Sequence, residues 1–244
     1  MKGTTPAGTA GEEQAAAWVR SMFGRIAGHY DFLNHLLSFN LDRHWRATTV
    51  RRVSEILSRP EARVLDLCCG TGDLLLALEK RRGRPVLGSD FCHPMLVRAQ
   101  EKLAQQRRAS VLFEADALAL PLADGCLDLI TVAFGFRNLA NYNAGLRELL
   151  RVLKPGGAAA ILEFSQPTNR PFAAAYNFFS NTLLPFAGGL ISGSREAYSY
   201  LPASIRKFPS AEELAEEMKR AGFVRVEFQR MTGGAVALHI GYRQ

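Results

Sequence analysis

The sequence predicts an α/β domain: a seven-stranded, mostly parallel β-sheet that ends in an antiparallel hairpin and carries helices on both faces. The main observation is that short apolar segments alternate with helical segments over residues 63–164, an order typical of parallel βα units. The second is a pair of strand-like segments, 223–230 and 235–242, on either side of Gly233-Gly234. These two segments can pair with each other as a terminal hairpin.

The first strand of this sheet, residues 63–67, runs into a glycine-bearing turn that precedes a helix. Gly70 and Gly72 allow a tight turn and let a ligand approach the backbone closely. A dinucleotide fingerprint would need a third glycine, but the chain has Leu75 at that position. The Asp73 carboxylate would also repel a pyrophosphate at the N-terminus of the helix. The turn therefore favours a cationic ligand, of which S-adenosylmethionine is one, over NAD.

The second and third strands each lead to a carboxylate at the same edge of the sheet. Asp90 ends the strand 85–90 and follows the glycine turn by the ~20 residues typical of an acid that accepts hydrogen bonds from ribose hydroxyls. Asp116 and Ala117 follow the strand 110–115. The Asp116 carboxylate can accept from an adenine amino group, and the Ala117 amide can donate to a ring nitrogen. A helix-capping role is the alternative for Asp90.

The fourth strand, 127–133, is apolar over most of its length, as expected of a strand that is buried on both faces. It leads into the segment 134–138, which reads Phe-Gly-Phe-Arg-Asn. An arginine and an asparagine beside two phenylalanines suit an aromatic substrate with oxygen substituents. A surface salt bridge is the alternative for Arg137. A helix over 144–153 and a fifth strand over 158–164 complete the alternation.

Three segments lie outside the alternation. Residues 1–17 are predicted to be a disordered tail because their first part is small and polar. Residues 18–58 form amphipathic helices, which either cover the ligand-facing edge of the sheet as a lid or cap the fold structurally. Residues 165–209 are predicted to be a helical insertion whose aromatic side chains either join the core or form an apolar wall for a hydrophobic substrate. We therefore expect a single domain over 18–244.

The composition limits the classes of partner that the protein is expected to bind. The net charge of +7 suggests either nucleic acid or an anionic membrane surface. The basic residues do not alternate with aromatic ones as a base-stacking platform requires, so we expect no nucleic acid and prefer membrane-surface contact. The four cysteines lack a Cys-x-x-Cys spacing, so no metal is expected. No apolar run is long enough to span a bilayer and no signal-peptide core opens the chain, which predicts a cytoplasmic protein.

Several motifs carry a resemblance to a known family. They are Tyr30-Asp31-x-Leu33-Asn34 with Ser38 and Trp45, Asp66-Leu67-Cys68-Cys69-Gly70-Thr71-Gly72-Asp73, Phe134-Gly135-Phe136-Arg137-Asn138, Arg151-Val152-Leu153-Lys154-Pro155-Gly156-Gly157 through Glu163-x-Ser165, and Tyr198-x-Tyr200-Leu201 with Ser204-Ile205 and Phe208-Pro209. By these motifs the chain resembles the class I S-adenosylmethionine-dependent methyltransferases, which have a Rossmann-like fold. It is more closely similar to the ubiquinone/menaquinone biosynthesis C-methyltransferase family. The second motif marks only the superfamily, whereas the others together are specific.

The resemblance implies a reaction and a site. The reaction is C-methylation of a prenylated quinol drawn from the membrane, with demethylmenaquinol as the expected substrate and S-adenosylmethionine as the cofactor. Arg137 is expected to stabilise the developing phenolate, and Tyr30 or His29 to assist proton transfer. The cofactor is expected to contact Asp66, Gly70, Thr71, Gly72, Asp90, Asp116, Ala117 and Ala133.

Three features of the sequence depart from the family pattern. Ala133 stands where Ser or Thr is frequent, so a side-chain contact is lost, and Cys68-Cys69 stands where small residues are usual. Asp42 replaces a His found in many ubiquinone-type members, which indicates the menaquinone branch. Two alternatives stay open: methylation of the benzoquinol precursor of ubiquinone, and a non-catalytic cofactor- or lipid-binding component of a quinone biosynthetic complex. Prenyl tail length, the catalytic base, a homodimer, and peripheral contact at the inner face of the membrane are also left open.

Overall fold

Seven strands form one sheet in the order β3-β2-β1-β4-β5-β7-β6. The computed structural model describes residues 3–28, 30–169, 171–172 and 195–244. The strands are β1 (Val64–Leu67), β2 (Leu87–Asp90), β3 (Val111–Glu114), β4 (Leu127–Ala133), β5 (Leu153–Phe164), β6 (Phe223–Met231) and β7 (Val236–Arg243). The described helices are α1 (Glu12–Ile26), α2 (Tyr30–Leu37), α3 (Leu41–Arg52), α4 (Ser54–Leu57), α5 (Asp73–Arg82), α6 (His93–Gln105), α7 (Tyr142–Val152), α8 (Arg195–Lys207) and α9 (Ala211–Ala221).

The first five strands are parallel, whereas β7 runs antiparallel to both of its neighbours. The predicted hairpin of β6 and β7 is therefore confirmed, and it joins the sheet through β7. In a parallel sheet the carboxyl ends of all strands lie at one edge, so the loops after β1, β2, β3 and β4 meet there. This edge is where the sequence places the predicted ligand-binding residues.

Helices cover both faces of the sheet, as predicted. Successive residues of β4 point to opposite faces, so Leu129 packs with helices α3, α4 and α5, and Ile130 packs with α7 and α9. Both side chains are fully buried. A strand that is buried on both faces needs an almost continuous apolar sequence, which explains the composition of β4.

The N-terminal segment differs from its prediction. The sequence predicts disorder for residues 1–17, but α1 already begins at Glu12 and buries Ala15. Ahead of this helix, the Thr4 amide donates to the Leu139 carbonyl at 2.8 Å, and the Thr4 hydroxyl lies 2.8 Å from the Tyr200 hydroxyl. The prediction of disorder is wrong here because these polar groups are satisfied by residues far away in the sequence, which composition does not reveal.

Two other predictions concern segments that the structure describes only in part. The helical insertion predicted over 165–209 contains α8, which is helical as expected, and residues 173–194 lie outside the described residues. His29, a predicted proton-transfer residue, also lies outside them.

Candidate active site

A large cavity lies at the carboxyl ends of β1, β4 and β5, beneath α1, α2 and α3. It has a volume of about 450 Å³. Its apolar lining includes Met22, Ile26, Trp45, Phe134, Phe164 and Leu201, and its polar lining includes Tyr30, Arg46, Asp66, Thr71 and Arg137. Helices α1, α2 and α3 of the predicted segment 18–58 thus contribute to the lining of this cavity.

A smaller cavity of about 50 Å³ lies beside the first, where β2 and β3 end. It is lined by Asp90, Asp116 and Ala117. Cys68 and Phe23 line both cavities, so the two are neighbours on either side of the turn after β1. A ligand with two chemically different ends could occupy both.

Asp66 is a buried carboxylate at the end of β1 that borders the larger cavity. Its Oδ1 accepts a hydrogen bond from the Thr131 hydroxyl at 2.7 Å. Its Oδ2 has no hydrogen-bond partner among the residues that the structure describes. Burial raises the pKa of Asp66 to about 7, against the lowering effects of Thr131 and Arg46. A buried acceptor without a partner calls for a donor, and the α-ammonium group of S-adenosylmethionine is a donor of the right charge.

Asp90 holds the glycine turn in place. Its Oδ2 accepts from the Gly70 amide at 2.9 Å, and its Oδ1 accepts from the Cys92 amide at 2.9 Å. Burial raises the pKa of Asp90 to about 6, although these two amides oppose the rise. Because each carboxylate oxygen can accept more than one hydrogen bond, both remain able to accept from ribose hydroxyls.

The two turn glycines have different roles. Gly70 has φ of 54° and lines the larger cavity, as the sequence predicts. Gly72 has φ of 86°, but it lines neither cavity. A Cβ at Gly72 would lie 3.3 Å from the Cβ of Ala99 on α6. Gly72 is therefore required for the shape and packing of the turn, and the structure does not bring it to the predicted ligand position.

Thr71 joins the turn to the helical segment above it. Its hydroxyl donates to Asp31 on α2 and accepts from the Lys102 ammonium at 3.2 Å. Lys102 also lies 2.5 Å from an Asp31 oxygen and 2.7 Å from an Asp73 oxygen. These ion pairs connect α2, α5 and α6 directly beside the larger cavity.

Arg137 is a buried cation in the loop after β4. Its Nη1 donates to Glu163 Oε1 at 2.9 Å and to the Phe134 carbonyl at 2.5 Å, and its Nε donates to the Ser204 hydroxyl at 3.3 Å. Burial alone would lower the pKa of Arg137, but Glu163 holds it above its usual value. Arg137 thus forms a buried ion pair instead of the surface salt bridge considered above, and its guanidinium stays charged.

Tyr30 begins α2 and lines the same cavity as Arg137. Burial raises the pKa of the Tyr30 hydroxyl, although Arg137 acts in the opposite direction. The hydroxyl therefore stays protonated at neutral pH and is suited to donate a hydrogen bond. A phenolate that accepts a proton is disfavoured at this position.

The remaining predicted cofactor residues are also at the two cavities. Asp116 is exposed, and its Oδ1 accepts from the Leu118 amide at 2.9 Å, so its Oδ2 stays available. Ala117 is buried beside it, and Ala133 lines the larger cavity at the end of β4. Apart from Gly72, every predicted cofactor residue therefore lines one of the two cavities.

The structure adds two residues to the predicted site: Arg46, which the sequence did not indicate, and Tyr200, which the sequence indicated only as part of a family motif. Arg46 on α3 lines the larger cavity together with Asp66 and Tyr30, and its charge acts to lower the pKa of both groups. Tyr200 on α8 also lines this cavity, and its hydroxyl donates to Asn138 Oδ1 at 3.0 Å. The residues next to Arg46 and Tyr200 in the sequence do not predict a role in the site, because each side chain reaches the cavity through tertiary packing.

The fold and these two cavities define the chain as an S-adenosylmethionine-dependent methyltransferase of the Rossmann-like class. A solved structure from Thermotoga maritima, described as a SAM-dependent methyltransferase and possible histamine N-methyltransferase, has the same fold, with a TM-score of 0.63 and 18% sequence identity over 92% of this chain and 99% of that one. The sequence profile of the ubiE/COQ5 methyltransferase family matches residues 9–243, and the chain belongs to this family.

Two curated relatives share this family likeness. A demethylmenaquinone methyltransferase from Thermus thermophilus is 49% identical over 224 residues, which are 91% of this chain and 100% of the relative. A ubiquinone/menaquinone biosynthesis C-methyltransferase from Syntrophotalea carbinolica is 43% identical over 225 residues, covering 92% of this chain and 93% of the relative. The resemblance predicted from the motifs is thereby confirmed.

Proposed function

We propose that this protein transfers the methyl group of S-adenosylmethionine to a ring carbon of a prenylated quinol, converting demethylmenaquinol to menaquinol. The observation that carries the proposal is the lining of the larger cavity. The lining combines acidic groups suited to a cationic methyl donor with an aromatic wall and a buried guanidinium. The names of the relatives supply the particular quinol.

The aromatic wall consists of Trp45, Phe134 and Phe164. The three rings pack against one another: the Phe134 centroid lies 5.9 Å from that of Trp45 and 4.8 Å from that of Phe164, and the Trp45 and Phe164 centroids are 6.3 Å apart. The Trp45 indole is fixed by a 2.9 Å hydrogen bond from its Nε1 to the Thr232 hydroxyl. Such a rigid apolar surface suits a flat naphthoquinol ring.

Arg137 stands at the polar end of this wall, with its guanidinium carbon 5.2 Å from the centroid of the Phe164 ring. A quinol becomes nucleophilic at a ring carbon when its neighbouring phenol loses a proton, and the ordinary pKa of a phenol is about 10. A fixed positive charge stabilises the phenolate and lowers that pKa. We assign this role to Arg137, and to Tyr30 a hydrogen bond to the same oxygen.

The cofactor supplies an electrophilic methyl group on a sulfonium. Transfer of that methyl group to the ring carbon would leave S-adenosylhomocysteine, and the ring proton would return to the phenol oxygen as the ring regains its aromaticity. The protein's contribution is to align the two partners and to exclude water, which alone can remove a large part of the barrier. In this proposal Asp66 binds the ammonium, Asp90 the ribose, and Asp116 with Ala117 the adenine.

The direct test is methyl transfer from labelled S-adenosylmethionine to reduced demethylmenaquinone and, separately, to the benzoquinol precursor of ubiquinone. We expect transfer to the first. The second quinol is the next candidate because the name of the Syntrophotalea relative includes ubiquinone. Cofactor binding without transfer to either quinol would refute the proposal in favour of a non-catalytic component.

A double variant separates the effect of Arg137 on methyl transfer from any effect on cofactor binding. Arg137→Met with Glu163→Gln removes both charges of the buried pair, which avoids leaving one of them unpaired. We expect turnover to fall by about 100- to 1000-fold, as for other lost stabilisers of an oxyanion, with the Kd of S-adenosylmethionine nearly unchanged. Glu163→Gln alone is the control. A large loss of cofactor affinity with normal turnover would discredit the role of Arg137.

We further infer that the protein meets its quinol at the inner face of the cytoplasmic membrane. Exposed apolar side chains extend from the mouth of the larger cavity, where Leu41 both lines the cavity and is exposed, along α2 to Phe32 and Leu36. The net charge of +7 complements an anionic lipid surface. The cysteines at the described positions are free thiols, which fits a reducing compartment. No described helix is long and apolar enough to cross a bilayer.

Sedimentation with vesicles tests this surface. We expect the protein to bind vesicles containing phosphatidylglycerol, and Phe32→Ser with Leu36→Ser to weaken that binding. Val111→Ser is the matched control. Val111 is also an exposed apolar residue, but it is the first residue of β3, whereas the cavity lies at the carboxyl ends of the strands. A second copy of the chain on this face would instead give a dimer by light scattering that the double variant dissociates, and that outcome would overturn the lipid assignment.

A further inference from the structure

A network of charged side chains borders the larger cavity between α2 and α3. Its centre is Asp42, which is buried and accepts hydrogen bonds from Arg46, from Ser38 at 2.7 Å and from His35 at 2.7 Å. Burial opposes the charge on Asp42, but Ser38 and Arg46 hold its pKa below the usual range. Asp42 is therefore a fixed anion whose main effect is to orient the guanidinium one helical turn later.

Arg46 is held by this network on one side only. Its Nη1 contacts Asp42 and lies 3.4 Å from an oxygen of Asp73. None of the hydrogen bonds between described residues uses its Nε or Nη2. The guanidinium carbon lies 5.8 Å from the centroid of the Phe134 ring, and the side chain lines the cavity. The arginine is thus fixed at the cavity lining through Nη1, and the described hydrogen bonds leave its Nε and Nη2 donors unused.

The two guanidinium groups of the cavity lining differ in what they offer. Arg137 is engaged by Glu163 and by a backbone carbonyl. Arg46 lies beside the start of the helix that follows the glycine turn, since its Nη1 is 3.4 Å from an oxygen of Asp73, and it lines the same cavity as Asp66. Asp66 presents an oxygen without a partner, and Arg46 presents N–H groups that the described hydrogen bonds leave unused.

This pair of opposite charges matches the two ends of an amino acid. The methionine part of S-adenosylmethionine carries an α-ammonium and an α-carboxylate on the same carbon. Arginine is the side chain best suited to bind a carboxylate through two parallel hydrogen bonds. We propose that Arg46, oriented by Asp42, binds the α-carboxylate of the cofactor while Asp66 binds its ammonium. This inference rests on the proposed cofactor site and assigns one further residue to it.

A change in the ligand and a change in the protein together test this contact. The ligands are S-adenosylmethionine and decarboxylated S-adenosylmethionine, which differ only in the carboxylate, and binding is measured by calorimetry without a quinol. We expect Arg46→Met to weaken the binding of S-adenosylmethionine by about 10- to 100-fold, the value of a hydrogen-bonded charge pair. The decarboxylated ligand should bind wild type and variant equally.

The control is Arg51→Met. Arg51 lies on the same helix and is exposed, it donates to Thr48 at 2.8 Å, and it does not line the cavity. We expect this variant to bind both ligands like wild type. If Arg46→Met does not fold, Arg46→Lys decides the question, because it keeps the charge and loses the planar fork. It should lose affinity for the carboxylated ligand only.

The outcomes are distinguishable. Equal losses for the two ligands would show that Arg46 only supports the structure, and no loss for either would show that the carboxylate binds elsewhere; each result overturns the assignment. Failure of the wild-type protein to bind either ligand would overturn the proposed cofactor site itself, and the assignment of Arg46 with it.

Discussion

Asp66→Asn is expected to stabilise the ligand-free protein at alkaline pH. The pKa of Asp66 is raised from 3.8 to about 7, mainly by burial. An acid whose pKa is higher in the folded state binds more protons when folded, so its contribution to stability falls as pH rises from its unfolded pKa to its folded pKa. Above pH 7 the ionised carboxylate therefore costs about 4 kcal/mol, from about three pKa units at 1.36 kcal/mol each.

Urea denaturation of the two proteins at pH 5 and pH 8 measures this cost. At pH 5 only the first part of the cost is present, about 1.5 kcal/mol, so the advantage of the Asn variant should grow by roughly 2–3 kcal/mol between the two pH values. Asp116→Asn, at an exposed carboxylate of the same site, controls for the amide substitution itself. A constant difference at both pH values, or a less stable Asn variant at pH 8, would refute the reasoning.

The same substitution should impair cofactor binding. The ammonium of the cofactor needs the ionised form of Asp66, so the affinity of the wild-type protein should rise as pH increases to about 7. It should fall again as the amino group, with an ordinary pKa of about 8, loses its proton. The Asn variant should bind more weakly and lack the rise. Calorimetry across pH 6 to 9 distinguishes the two profiles.

The other predictions concern the site and one helix. Asp90→Asn replaces one of the two carboxylate oxygens that accept from backbone N–H groups by a donor, so the Kd of S-adenosylmethionine should increase by at least about tenfold, with a lower Tm in thermal denaturation. Gly135→Ala places a Cβ 2.4 Å from that of Cys68 and should cost about 1–3 kcal/mol in urea denaturation. Cys68→Gly in the same chain should restore part of that stability. Ser210→Ala removes the acceptor of a capping box at α9 and should cost about 1 kcal/mol with unchanged kcat.

Local sequence patterns predicted the elements that depend on neighbouring residues. The sequence Ser210-Ala211-Glu212-Glu213 is typical of a capping box, and both hydrogen bonds of that capping box are present at the start of α9. The apolar run of β4 and the paired segments of β6 and β7 are confirmed as strands. The position of β7 between β5 and β6 was not specified, because a hairpin pattern indicates which strands pair with each other and not which of them joins the sheet.

The site also contains some residues that local sequence predicts and others that only the tertiary fold brings together. Residues that follow strands, such as Asp90 and Asp116, could be predicted because the ends of parallel strands converge at one edge. The hydrogen bond between the hydroxyls of Thr4 and Tyr200 could not be predicted, because the two residues are 196 positions apart in the sequence. Arg46 was missed for a related reason: a helical arginine reads as a surface residue until the fold places it against Asp42 and the cavity.

The position of β7 also affects how the chain reaches its native state during synthesis. These eight residues pair with β5 on one side and with β6 on the other. Until they leave the ribosome, β5 has an unpaired edge and β6 has no place in the sheet, and unpaired edges promote aggregation. A premature stop before Val236 would therefore yield a chain with an unfinished core and not a shortened enzyme, and such a chain is a substrate for chaperones and proteases.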